Sequence, residues 1–153
     1  MDVIDRRILR ALQTDCRQSI ADLADQAGLS PSACHRRIGL LEERGYIAGY
    51  VADLNGEALG YRIEFFVEVS LNAQSEDALN AFESAVGRVP EILECYLMAG
   101  QSDYTIRIAA SDTADYERIH RERIARLPHV ARIQSSLVLR TVKRWTGYPV
   151  AAG

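Results

Sequence analysis

The chain has 153 residues, 48% hydrophobic and 25% charged, a balance that excludes disordered and fibrous classes and leaves room for two small domains. Its apolar runs, such as Phe65-Phe66-Val67 and Ile106 to Ala110, are broken by Glu or Arg far short of the ~20 residues that span a bilayer, so no membrane partner is expected. The net charge of −3 offers no overall basic footprint, and any contact with nucleic acid has to come from a local cluster.

The opening Met1-Asp2-Val3-Ile4-Asp5-Arg6-Arg7 alternates charged and apolar residues where a secretory leader would place a basic stretch before an apolar one, and a cytoplasmic location is expected. Ile4, Ile8, Ala11 and Leu12 recur at helical spacing and predict a first helix over residues 3–14. Ser19 and Asp22 have the form of a capping box, followed by Ile20, Leu23, Ala24 and Ala27 and a stop at Gly28: a short second helix. Ser30 then offers an N-cap, with Pro31 at the first helical position, for a third helix over 31–44 that buries Cys34, Ile38 and Leu41. Two short helices joined by a Gly-containing turn form a helix-turn-helix. Ser32, Ala33, His35, Arg36 and Gly39 fall on the outer face of the third helix. Small residues there permit close approach to a major groove, and Ser, His and Arg can reach base edges.

The stretch from Tyr46 to Leu54 is β-prone and reads as a small wing or a strand leaving this domain, and Asn55-Gly56 and Gly60 mark a linker over 55–61. Beyond it the period becomes two: Ile63, Phe65, Val67, Val69 and Leu71 predict a half-buried strand. Ser75 can cap a helix carrying Leu79, Phe82, Val86 and Val89, closed by Pro90, and Ile92 to Ala99 reads as the next strand. After a turn at residues 100–103, a strand is expected from Tyr104 to Ala110. A helix from Thr113 presents Tyr116, Ile119, Arg123 and Leu127 inward, and a last strand runs over 130–142. The order βαββαβ predicts an α+β chain with a ferredoxin-like domain at 62–153 after a helix-turn-helix domain at 1–54. Two helices cover one face of such a sheet; the other, with Phe65 or Phe66, needs a partner surface, which favours a homodimer.

In order and spacing these residues resemble the Lrp/AsnC (leucine-responsive and asparagine regulator) family. The likeness is carried by Ile4-Asp5-Arg6-Arg7-Ile8-Leu9, Leu29-Ser30-Pro31-Ser32, Arg37-Ile38, Leu41-Glu42, Gly45-Tyr46-Ile47 and Gly49-Tyr50. It continues through Phe66-Val67-Glu68-Val69, Glu94-Cys95-Tyr96, Gly100 to Tyr104, Leu127-Pro128 and Val142-Lys143. The resemblance implies a winged helix-turn-helix that binds double-stranded DNA, a small-molecule effector such as an amino acid, and dimers that assemble further into tetramers or octamers.

For DNA, Ser32, His35 and Arg36 are the candidates for base edges, with Ser30, Arg37 and Arg44 nearer the phosphates; Arg37 is alternatively held against Glu42 or a neighbouring helix. For the effector, Gly100-Gln101-Ser102-Asp103-Tyr104 is similar to the family's ligand loop. Turn amides there can receive a carboxylate and Asp103 an α-ammonium, with Ser135 and Ser136 of the last strand completing the site. Gln101 departs from the Asp or Asn frequent in the family, and a plain hairpin turn is the competing reading. Cys16, Cys34 and Cys95 lie far apart without a C-x-x-C pair, and neither His120 nor His129 has a carboxylate or Cys at ligand spacing, so no metal, cofactor or disulfide is expected. No nucleophile, acid pair or phosphate loop points to an enzyme. The nearest enzymatic rival is a haem-biosynthetic decarboxylase of the same fold, and an effector-independent DNA-architectural protein is a further alternative.

Overall fold

Helix α1 (Val3–Thr14) starts at Asp2 with a reciprocal capping box: the Asp2 carboxylate accepts from the Asp5 amide at 2.8 Å and the Asp5 carboxylate accepts from the Asp2 amide at 2.9 Å. The box expected at α2 (Ile20–Ala27) is half-formed. Ser19 Oγ accepts from the Asp22 amide at 3.1 Å, but the Asp22 carboxylate accepts from the Ser19 hydroxyl and leaves the cap amide alone. Gly28, in the left-handed region at φ 72°, ends α2. Ser30 caps α3 (Pro31–Glu43), Pro31 takes its first turn, and Arg44 is the C-cap. Ile8, Leu23, Ala24, Ala27, Cys34, Ile38 and Leu41 form the buried core of these three helices.

No strand forms over 46–54 among the described residues, which are those numbered 1–151 in this computed structural model. β-prone side chains form a strand only against a ladder partner, and here Tyr50, Val51 and Leu54 are exposed, with the Tyr50 hydroxyl donating to Glu42 at 2.8 Å.

The remaining elements are β1 (Ile63–Leu71), α4 (Glu76–Val86), β2 (Ile92–Leu97), β3 (Tyr104–Ala110), α5 (Thr113–Glu122), a single 3₁₀ turn over Ile124–Arg126, and β4 (Val130–Leu137). The sheet order is β2-β3-β1-β4 with every neighbouring pair antiparallel, so β3 is inserted between the two strands that flank α4, as a ferredoxin-like unit requires. Asp112, one residue before the expected start, caps α5. Arg123, expected inward, lies in the break between α5 and the 3₁₀ turn and is half-exposed, 3.8 Å from Glu91. The last strand stops at Leu137, and Leu139 and Val142 stand exposed beyond it.

Period-two alternation sorts the sheet's faces. Phe65, Val67, Val69 and Leu71 of β1 and Tyr104, Ile106, Ile108 and Ala110 of β3 pack with Phe82, Val86, Ile119, Ile124 and Leu127, which places both helices on one side. Phe65 belongs to this covered face and stacks on Tyr116 at 3.6 Å between ring centroids, so of the two candidates it is Phe66, 43% exposed, that lies on the open face. Across that face Glu94, Arg107, Phe66 and Ser136 stand in register, with Arg107 Nε donating to Glu64 at 3.1 Å and Arg107 Nη1 lying 3.3 Å from Glu94.

The chain divides into two compact units. One is Met1–Asp53 with the tail from Lys143, and the other is Leu54–Val142. The expected boundaries put that tail in the second domain, whose last residues, 152–153, lie outside the described residues. Within the first unit Trp145 packs edge-on against Tyr148, and Gly147 sits against the Gln13 side chain where a Cβ would collide. The expected linker is a capped turn: Asn55 Oδ1 accepts from the Ala58 amide, and the Tyr61 amide donates to Gly56 O at 2.8 Å.

Candidate functional site

Burial of Cys34, Ile38 and Leu41 fixes which side of α3 faces inward and leaves Ser32, His35 and Arg36 exposed on the other. Ser30 Oγ accepts from the Ala33 amide at 3.3 Å and stands 3.3 Å from Ser32 Oγ, so two hydroxyls meet at the N-terminal end of the helix. Among the described residues neither Arg36 nor Arg44 is in an ion pair. Both line a depression of about 390 Å³ with Met1, Asp2, Asp5, Arg37, Leu40 and Leu41.

Arg37 differs. Its Nη1 donates to Asp2 Oδ2 at 2.6 Å and to Asp5 Oδ1 at 2.7 Å, so of the alternatives for this side chain the neighbouring helix, α1, is the one it adopts. Glu42 is taken up by Tyr50. The Asp2 carboxyl is held below its ordinary value by the Asp5 amide and then by the Arg37 guanidinium, and the two carboxylates raise Arg37 in turn. This three-residue cluster escaped the sequence reading, which placed its capping box at Ser19; the Asp-x-x-Asp pattern at residues 2–5 was the available signal.

In the other unit, Gly100 and Gln101 are exposed and Ser102 and Asp103 half-buried in the turn between β2 and β3. A Cβ on Gly100 would meet nothing within 4 Å and its φ is not left-handed, so no contact inside the chain requires glycine there. Asp103 is already a stitch: Oδ2 accepts from the Leu71 amide and Oδ1 from Gln74 Nε2, both at 2.7 Å, while its own amide donates to Val69 O at 3.0 Å. Tyr104, expected beside the effector, is 1% exposed. Its ring packs on Phe82 and its hydroxyl donates to Glu83 at 2.8 Å, because it begins β3 on the covered face. Burial, with the Glu83 contact, pushes its phenol well above the usual range.

Ser135 and Ser136 cannot share one site on one face. Consecutive strand residues point to opposite sides, so Ser135 hydrogen-bonds the Tyr116 hydroxyl on the helix side while Ser136 stands opposite Phe66 on the open face. Among the described residues no group of three or more His, Cys, Asp or Glu is placed to hold a metal, and no helix is long and apolar enough to cross a membrane.

Residues 1–48 match the family model described as winged helix-turn-helix DNA-binding, and residues 64–148 that described as Lrp/AsnC ligand binding domain. The chain belongs to the Lrp/AsnC family. The leucine-responsive regulatory protein of Escherichia coli K12 is 38% identical over 144 residues, 94% of this chain and 88% of that protein. A proline dehydrogenase transcriptional activator of Rhodobacter capsulatus is 39% identical over 142 residues, 93% and 92%. Among solved structures, a transcriptional regulator of Neisseria meningitidis in complex with L-Met superimposes with a TM-score of 0.93 at 31% identity, over 98% of this chain and 97% of that one. An AsnC family regulator from Agrobacterium tumefaciens gives 0.92 at 35%, with the same coverage. These Lrp/AsnC relatives are regulators by name, three of them of transcription, and this chain is a DNA-binding transcriptional regulator with a ligand-binding domain.

Proposed function

We propose that the protein is a sequence-specific regulator in which α3 enters the major groove, with Ser32, His35 and Arg36 at base edges and Ser30 and Arg44 at phosphates, and that an amino acid or related metabolite modulates it. The observation that carries the DNA half is the exposed outer face of α3 with Arg36 on it and Arg44 at its C-cap, neither of which has a carboxylate partner among the described residues. For the effector half, support comes from the open turn at Gly100-Gln101-Ser102, from the unused lone pairs on Asp103, and from the L-Met carried by the Neisseria meningitidis relative. Ser136 is retained as a contributor from the open face. Tyr104 supports the site from the covered face by packing on Phe82, and Ser135 through its hydrogen bond with Tyr116. The open sheet face is the proposed homodimer surface, from which tetramers or octamers assemble.

The test is Arg36→Ala, measured on the duplex that the wild-type chain enriches from a randomised library. Loss of one bidentate base contact is worth about 1–3 kcal/mol of discrimination, so preference for the enriched over a scrambled duplex falls by roughly 5- to 150-fold with the oligomer unchanged. Undiminished discrimination removes Arg36 from the interface.

A further inference from the structure

We propose that Arg37 is a positioning residue for DNA reading: it locks the rotation of α3 against the N-terminal cap of α1 and makes no phosphate contact itself. This rests on the proposal that α3 reads DNA. The four carboxylate oxygens beside Arg37 are all engaged. Asp2 Oδ1 accepts from the Asp5 amide and Asp5 Oδ2 from the Asp2 amide, leaving Asp2 Oδ2 and Asp5 Oδ1, and these two hold Nη1. Asp5 is the one buried charged residue among those described, 9% exposed, and a buried carboxylate needs such a partner.

Apolar burial along Cys34, Ile38 and Leu41 holds α3 at its distance but is non-directional. Two short charge-assisted bonds on the flank of that stripe add an angular constraint. Successive helical residues differ by about 100° in azimuth, so the rotation that keeps Arg37 on Asp2 and Asp5 also sets where Arg36 points. A phosphate brought to Arg37 would meet two carboxylates at hydrogen-bond distance from the same nitrogen, whereas among the described residues Arg36 and Arg44 carry no such competitors.

The two models predict opposite signs. Asp2→Asn with Asp5→Asn keeps acceptors for both cap amides and removes two negative charges from the vicinity of the DNA. If Arg37 contacts phosphate, that double variant binds as tightly as wild type or tighter. As a positioning residue, Arg37 loses its anchor, and the full-length double variant binds the enriched duplex about tenfold more weakly. Discrimination against the scrambled duplex falls with it, at a temperature where circular dichroism shows a native fold. A purely structural pair would lower the melting temperature and leave that discrimination intact.

Arg37→Gln is expected to weaken binding without changing the slope of log affinity against log salt; a slope reduced by about 0.9 marks a lost phosphate contact and overturns the proposal. If the double variant does not fold, Asp2→Asn alone, at the more exposed carboxylate, gives the same sign test. Failure to enrich any duplex, or Arg36→Ala without effect, removes the reading of α3 and this proposal together. Arg36→Ala weakened while the carboxylate variants bind normally overturns the positioning role alone.

Discussion

Asp103, proposed for the effector site, already has a structural task in the chain. Its carboxylate satisfies the Leu71 amide and Gln74, so Asp103→Ala strands a partly buried N–H and costs about 1–3 kcal/mol before any ligand is considered. Asp103→Asn separates the roles, because an amide oxygen still accepts from Leu71 while the negative charge is gone. We expect its melting temperature to stay near that of wild type and its stabilisation by amino acids, read in a thermal-shift panel, to vanish. An unchanged amino-acid shift would take Asp103 out of the effector site. Asp2 yields a pH prediction whose sign follows from its depressed carboxyl. The cluster's contribution is complete above the ordinary value of 3.8 and is lost as pH falls through the lower folded-state value. Thermal melts of Asp2→Asn and wild type should therefore keep a constant offset from pH 7 to about 5 and converge in stronger acid. An offset that changes near neutrality would mean that another group sets it.

At the scale of elements, α3 contains a glycine that its own packing does not need. A Cβ on Gly39 would meet nothing within 4 Å and its φ is not left-handed, yet glycine inside a helix is unfavourable. Gly39→Ala should stabilise the protein by about 0.5–1 kcal/mol in urea unfolding. Destabilisation would reveal a contact that the geometry does not contain. Gly28 is the contrasting case, since at φ 72° it ends α2 in a conformation that side chains resist. The segment 46–54 shows how little β-propensity means without a partner strand: Ile47 packs on the helical core, Tyr46, Tyr50, Val51 and Leu54 are exposed, and no ladder forms from it among the described residues.

For the whole molecule, the ferredoxin-like sheet has helices on one side, and its other side carries Phe66 and Tyr96, 43% and 53% exposed, around the charged row of Glu94, Arg107 and Glu64. A dimer through this face buries both aromatics, and Phe66→Glu would replace apolar surface there with a third carboxylate around Arg107, beside Glu64 and Glu94. Sedimentation of that variant should show monomers where the wild type shows dimers or larger species; an unaltered distribution would move the interface elsewhere.

Local signals carried much of the fold. Ser30-Pro31 and Gly28 bounded the helix-turn-helix, and the alternation of β1 and β3 set the strands, because caps, turns and period-two burial are written within a few residues of each other. The outer face of α3 was legible for the same reason. What tertiary structure decided were choices between residues distant in sequence. Arg37 is 35 residues from Asp2 and Asp103 is 32 from Leu71, and no local pattern announces either partnership. Likewise Phe65 against Phe66, and Ser135 against Ser136, are settled by register. A shift of one residue reverses every face of a strand, and the chain fixes it only when β1 meets β3 and β4 over a common core.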